Sequence, residues 1–310
     1  MSNTLPSISV VITCYAEGAL LYEAVESVLK QSQPPLEIIL VNDASPHAET
    51  NQVCQDLAQN PIVQLIKRSQ NGGPSSARND GFQAAQGEIL VLLDADDLLP
   101  ENALENIQKA FAQSPSLGFV YGNYLRENTA GQCEIIKPGD ISLKKMLSSK
   151  PFRVSSQWTL IGTTPLKRSL WQAVGGYNTE FEVQDLHDVE FWIRVISSGC
   201  DYQYIPDCIY HWRKYLGKNS RKVTPEAWYK VAKKHLPNYT KVGLDYRAYE
   251  LLLLGSKWCG YSHEVKQHSK KLIDFTLKGN FQLSTFIILL IPAWLLQLLA
   301  KKCSKIVDQI

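Results

Sequence analysis

The feature that most constrains the fold is an alternation of short apolar runs with amphipathic segments across the first 125 residues. Residues 8–13 (ISVVIT), 37–41 (EIILV), 63–66 (VQLI) and 88–93 (EILVLL) read as buried strands. Between the first two, Leu20, Leu21, Ala24, Val25, Val28 and Leu29 recur at helical spacing, and Pro34-Pro35 stops that helix. Residues 48–59 and 100–113 read as further helices, and 119–121 as another strand. The Gly72-Gly73-Pro74-Ser75 turn leads into a helix that Ser75 is expected to cap. Residues 88–93 form the most apolar run, which places that strand in the middle of the sheet. Such alternation specifies an α/β fold with a mostly parallel sheet covered on both faces. Ligands of such sheets sit beyond the carboxyl ends of the strands. Thr13-Cys14-Tyr15, Asn42-Asp43, the stretch 67–73 and the stretch 94–97 all fall at that rim.

Residues 126–221 are less regular. They contain WQAVGGY at 171–177 and QDLHDVEFWIR at 184–194, with Val189, Trp192, Ile193 and Ile196 on one helical face. Residues 222–310 read as a helical, basic and aromatic extension. The expected organisation is therefore residues 1–125, residues 126–221 as a second half of the same domain, and the extension. Residues 285–300 read TFIILLIPAWLLQLLA, followed by Lys301 and Lys302. This run is shorter than the roughly 20 residues of a spanning helix, and Pro292 interrupts it. An in-plane or re-entrant membrane anchor is expected, at the inner face of a membrane; a helix packed on the protein's own core is the alternative.

Composition narrows the class. A net charge of +2 gives no global attraction to nucleic acid. The seven cysteines stand at 14, 54, 133, 200, 208, 259 and 303, an odd number without a Cys-x-x-Cys pair. This argues against a disulfide framework and for reduced, cytoplasmic thiols. The first residues carry no basic region leading into an apolar run, so no secretory signal is read there.

Four groups of residues carry candidate chemistry. Asp94 and Asp96, two apart at a strand end, suit a hard divalent cation, Mg2+ or Mn2+, that neutralises a diphosphate. Asp43 follows EIILVN, where a carboxylate accepts from a base or ribose or closes an Asx turn. Asn71-Gly72-Gly73 precedes Arg78: the glycines admit a ligand close to the backbone and the helix start offers free amides. Arg78 pairs either with phosphate or with the acidic loop. Asp188, opening a helical segment, is a general-base candidate or a first-turn acid. His211 is a further candidate metal ligand.

Taken together, SVVITCYAEGALLYEAVESVLKQS, LEIILVNDAS and NGGPSSARNDGFQAAQGEILVLLDADD resemble the nucleotide-sugar domain of family 2 glycosyltransferases over about residues 7–125. A thinner likeness continues through Gly175-Gly176-Tyr177 and HDVEFWIR to about Arg221. The resemblance implies a GT-A fold and an inverting transfer from a nucleotide-sugar donor, UDP-linked, to a glycan or lipid-linked acceptor in polysaccharide synthesis. It implies that Asp43 and the loop of Thr13, Tyr15 and Glu17 hold the nucleoside, with Asn71, Gly72 and Arg78 beside them. Asp94 and Asp96 then hold diphosphate and metal, and Asp188 is the base. The chain departs from the family at His187, where glutamate is common, at Ala16, where asparagine is common, and at Trp212-Arg213-Lys214-Tyr215, where Tyr-Arg-x-His is common. A nucleotidyltransferase and a non-catalytic sugar-nucleotide-binding protein are the competing readings.

Overall fold

The structure is a computed structural model that describes residues 5–148, 160, 163–184, 186–213, 223–280 and 282–307, with backbone alone at 182–184 and 303–307. It divides into two compact units. The first comprises Met1–Asp140, Thr159–Glu182 and His187–Ser220; the second comprises Ile141–Trp158, Val183–Leu186 and Arg221–Ile310.

The first unit begins with the expected alternation: β1 (Ile8–Cys14), α1 (Leu20–Leu29), β2 (Glu37–Asn42), α2 (Ala48–Leu57), β3 (Val63–Lys67), α3 (Gly73–Ala84), β4 (Ile89–Asp94) and α4 (Ala103–Gln113). Then follow β5 (Leu117–Glu127), β6 (Cys133–Ile136), β7 (Leu166–Lys167), α6 (Arg168–Val174), a 3-10 helix (Thr179–Gln184), α7 (His187–Ser197) and β8 (Asp201–Arg213). The sheet order is β3-β2-β1-β4-β7-β5-β6, with β8 paired to β5. The apolar strand β4 is central, as its composition requires. The ladders among β1 to β4 are parallel, whereas β7 runs antiparallel to β4 and β5.

Buried Val10, Ile12, Ile38, Leu40, Val91 and Leu93 pack with α1, α2 and α4 on one face. Each such side chain contributes about 1.5–3 kcal/mol on removal from water. On the other face α3 lies so close to β1 that a Cβ at Gly81 would stand 2.3 Å from Val11 Cγ1. The register puts Thr13 opposite both Val41 and Asp94, so the carboxyl ends of β1, β2 and β4 meet at one rim.

Ser75 does not cap α3. The helix begins at Gly73, with Pro74 in its first turn, and Ser75 is buried inside it. The stretch read as irregular holds the long strand β8 and the β5–β6 pair. Pro206 interrupts β8 as a ladder donor; the β5–β8 register shifts nearby, and Asn123 Nδ2 donates to Pro206 O at 2.7 Å.

The second unit contains α5 (Leu143–Leu147), α8 (Pro225–Lys234), α9 (Leu236–Lys241), α10 (Asp245–Cys259), α11 (Ser262–Leu277), α12 (Leu283–Leu290) and α13 (Ala293–Val307). Leu253, Leu254, Leu272, Ile288 and Leu296 form its core. The apolar run therefore packs on its own unit through Ile288 and Leu296, while Leu290 and Trp294 stay 64% and 62% exposed. Pro292 splits the run between α12 and α13. The carbonyls near this break are met by buried Lys257, whose Nζ donates to Ile288 O at 2.7 Å, Leu289 O at 3.0 Å and Ile291 O at 2.8 Å. Among the described residues no single helix is long and apolar enough to cross a membrane; α12 and Ala293–Lys302 form a pair bent by 87°.

Candidate active site

Three strand ends and α7 deliver the polar residues of the rim in the first unit. Asp43, immediately after β2, is buried and fully engaged. Its Oδ1 accepts from the Arg68 guanidinium and from Gly72 N at 3.0 Å, and its Oδ2 accepts from Gly73 N at 2.8 Å. A carboxylate on the first amides of α3 is favoured by the helix dipole. Asn71 Oδ1 also accepts from Gly73 N, at 3.1 Å. The loop after β1 is closed by Glu17, whose Oε2 accepts from Tyr15 N at 2.6 Å and Ala16 N at 2.8 Å. Tyr15 stands edge-on to His47.

Arg78, buried on α3, joins the acidic loop to α7. Its NH2 donates to Asp94 Oδ1 at 3.0 Å and its NH1 to Asp188 Oδ1 at 2.5 Å. The same NH1 lies 3.0 Å from His187 Nε2. Burial lowers the guanidinium's pKa, but the charges of Asp188 and Asp94 outweigh it and hold Arg78 cationic. Burial alone raises the pKa of Asp188; the Arg78 and His187 charges prevail and hold it below the usual carboxylate value. Asp188 is thus ionised at neutral pH, and its side chain is 34% exposed.

The local sequence explains how Arg78 is held. Gly175 and Gly176 turn with positive φ of 81° and 68°, which glycine adopts without strain. Asn79 Nδ2 donates to Tyr177 O and Tyr177 N donates to Asn79 Oδ1, both at 2.8 Å. Arg194 from α7 donates to Gly176 O at 2.6 Å. The Tyr177 ring stacks on Phe191, centroids 4.3 Å apart, and the Arg78 guanidinium lies 5.5 Å above it.

The acidic loop is clamped from β8. Tyr210 Oη donates to Asp97 Oδ2 and Arg213 N to Asp97 Oδ1, each at 2.7 Å, while Arg213 Nε donates to Asp96 O at 2.6 Å. Burial and the Asp94 charge push Asp96 up to about 6 and Asp97 up to about 8. Asp96 and Asp97, whose ionisation burial and the Asp94 charge oppose, stand where a divalent cation would relieve that repulsion. His211 is turned elsewhere: its Nε2 stands 2.9 Å from Glu127 Oε2.

The sequence offered no role for Arg68 or Tyr210, and Arg213 entered only as part of the departing motif. The extra aspartate at 97 was the available signal, since a buried acid needs donors. Lys214 and Tyr215 of the departing motif, and the boundary near Arg221, lie outside the described residues.

The titration of this loop has a definite sign. Asp96 and Asp97 both titrate above their ordinary 3.8, so their contribution to the free protein's stability is full below 3.8 and is lost as pH rises through about 6 and about 8. Cation binding runs the other way, tightening through about 6 with proton release. Calorimetric Mn2+ titration in buffers of different ionisation heat measures both. Affinity that does not change from pH about 5 to about 7 would show that Asp96 does not ionise in this window.

The class defined by this fold is an α/β domain with an acidic loop at the end of a central strand. Residues 9–161 match the model of glycosyl transferase family 2, which makes this stretch of the chain a domain of that family. Glycosyltransferase GlyG of Streptococcus pneumoniae serotype 4 is 36% identical over 118 residues, 38% of this chain and 38% of that protein. Poly-beta-1,6-N-acetyl-D-glucosamine synthase of Staphylococcus epidermidis is 26% identical over 215 residues, 65% of this chain and 51% of that protein. The chain thus spans between 38% and 51% of these relatives' lengths. In fold it is similar to S. aureus TarS 1-349 in complex with UDP-GlcNAc, with a TM-score of 0.58 at 18% identity, over 80% of this chain and 71% of that one.

Proposed function

We propose that the chain transfers a sugar from a UDP-linked donor to an acceptor hydroxyl, with inversion at the anomeric carbon, in glycan or polysaccharide synthesis. The observation that carries this reading is Arg78, one buried guanidinium that ties Asp94 of the acidic loop to Asp188 of α7. That link supports a leaving-group site at Asp94 beside the ionised carboxylate of Asp188. The polysaccharide synthase among the relatives and the UDP-GlcNAc complex of the TarS structure support the substrate class.

Residues 1–125 serve as the nucleotide half and 126–221 as the acceptor half. Thr13, Tyr15, Glu17, Asp43, Asn71 and Gly72 line the nucleoside side. Asp94 and Asp96 hold Mn2+ or Mg2+, which when bound supplies positive charge to the diphosphate leaving group. Arg78 holds Asp94 and Asp188 in place. Asp188 takes the proton from the acceptor hydroxyl as that oxygen attacks the anomeric carbon, and the bond to the diphosphate breaks in line. His211 is left out of this metal set because its Nε2 stands with Glu127 Oε2 at 2.9 Å and Cys133 Sγ at 3.7 Å, in a separate cluster.

Release of nucleoside diphosphate, measured across a panel of sugar nucleotides with Mn2+ and candidate acceptors, tests this reading. Donor binding without release under any acceptor would favour a non-catalytic binding protein. The nucleotidyltransferase reading has less support: no basic residue occurs in 13–18, and the amides of Tyr15 and Ala16 are taken by Glu17.

The partner of the extension is a lipid surface at the inner face of a membrane. Leu283, Leu290, Trp294 and Leu298 are exposed, and exposed Lys301 and Lys302 follow to meet anionic headgroups. Deleting the whole run would also remove Ile288 and Leu296 from the core, so surface changes are the better test. Leu290→Gln with Trp294→Gln is expected to release the protein from anionic vesicles in a flotation assay, with an unchanged thermal midpoint. Undiminished flotation would show that this face does not carry the contact, and a parent protein that fails to float would remove the membrane from the list of partners.

A further inference from the structure

A second side-chain cluster lies outside the site described above. The register of β6, β5 and β8 builds it. Glu127 on β5 faces Cys133 on β6 across their antiparallel ladder. His211 on β8 faces Leu125, two residues before Glu127. Residues two apart on a strand share a face, and diagonal neighbours are within reach of long side chains. Glu127, Cys133 and His211 therefore stand together on one face of three hydrogen-bonded strands.

The distances match that placement. His211 Nε2 lies 2.9 Å from Glu127 Oε2 and 3.7 Å from Cys133 Sγ. One ligand atom from each residue falls within 4.8 Å of the other two. In a tetrahedral zinc site, ligand bonds of 2.0–2.3 Å put neighbouring ligand atoms about 3.3–3.6 Å apart. The two separations from His211 bracket that value and the third is at most 4.8 Å, so side-chain adjustments of about an ångström bring the three atoms to it. The glutamate and histidine side chains are only 14% and 17% exposed, and Cys133 is exposed beside them, which leaves a route for an ion.

We propose that Glu127, Cys133 and His211 bind Zn2+, with water in the fourth position. The donor set decides the ion. A thiolate and an imidazole beside one carboxylate suit a borderline-soft cation, whereas Mg2+ and Mn2+ prefer the all-oxygen set at Asp94 and Asp96. Binding removes the thiol proton of Cys133 and any proton on His211 Nε2, so it releases protons and tightens as pH rises.

The place of the site gives it a structural consequence. His211 exchanges both backbone hydrogen bonds with Leu98, N to O at 2.9 Å and O to N at 3.1 Å. Two residues later Arg213 holds Asp96 O and the Asp97 carboxylate. Zn2+ therefore fastens the end of β8 that clamps the acidic loop, while remaining a separate site with its own ligands. This inference does not depend on the transferase reading.

Co2+ is the probe, since it substitutes for zinc and reports its ligands in its spectrum. The full chain, stripped with a chelator and kept reduced, is titrated with Co2+. The expected result is one equivalent bound with a thiolate-to-cobalt charge-transfer band, displaced by Zn2+ and not by excess Mg2+. Cys133→Ser is expected to lose that band, and Glu127→Gln to weaken binding by at least about tenfold. Asp96→Asn is expected to leave the band intact. Absence of the band in the parent protein, its survival in Cys133→Ser, or its loss in Asp96→Asn would each overturn the assignment. Cys133 is an exposed residue of a short strand, so its serine variant keeps the fold, which circular dichroism checks.

Discussion

Asp96→Ala is expected to abolish transfer and to weaken donor binding strongly, while leaving the free protein at least as stable as the parent at pH about 8. The two halves of that result have one cause. Burial and the Asp94 charge raise the Asp96 carboxyl to about 6. Ionising it in the folded protein is therefore unfavourable relative to the unfolded chain, and alanine removes the cost. The backbone survives the change, so Arg213 keeps its bond to Asp96 O. On the function proposed above, what is lost is an oxygen for the cation that would balance the diphosphate. The measurements are donor affinity with and without Mn2+, turnover, and the thermal midpoint in chelator. Normal turnover of the variant in the presence of chelator would defeat the metal reading. A large drop in thermal midpoint would show that Asp96 is a structural acid.

The first half of the sheet was legible because each of its strands is an apolar run bounded by a break. The runs 8–13, 37–41, 63–66 and 88–93 appear as β1 to β4 with ends moved by one residue at most. The start of α3 was not legible. Ser75 looks like a cap, yet the first amides of the helix turn to Asp43, 29 and 30 residues earlier in the chain. No local rule supplies a partner at that range. The clamp on the acidic loop was hidden for the same reason, since Tyr210 and Arg213 lie 113 and 116 residues from Asp97. The strand that carries them lies in the stretch read as less regular and contains Pro206, a residue that ordinarily marks the end of a strand. The apolar run at 285–300 supported two readings, and the structure gives features of both: Ile288 and Leu296 are core, whereas Leu290 and Trp294 are exposed. Hydropathy reports the sum of the two faces and cannot separate them.

The same rim distinguishes a base from a structural acid at Asp188. Asp188→Asn is expected to bind donor about as tightly as the parent and to transfer sugar at least about a hundredfold more slowly, the lower end of what general base catalysis supplies. Asparagine keeps the size of the side chain and an oxygen that accepts from Arg78, and Arg78 keeps Asp94 and His187 as partners. The buried guanidinium is thus not stranded, and most of the fold's interest in this position is preserved. Asparagine does not take a proton at neutral pH, so a base role does not survive. Arg78 also sets the pH profile. It holds the Asp188 carboxyl below its ordinary 3.8, so a base at this position would stay ionised through the acidic range. Cation binding below neutrality then weakens with Asp96, near 6 in the cation-free protein, rather than with Asp188. Donor affinity by calorimetry, turnover with acceptor, and thermal midpoint on one preparation separate the roles. Retained turnover would take Asp188 out of the mechanism. Lost turnover with a collapsed midpoint would assign it to the ion pair that joins α3 to α7, and Arg78→Lys, which keeps the charge and loses the fork, would then be expected to fail in the same way.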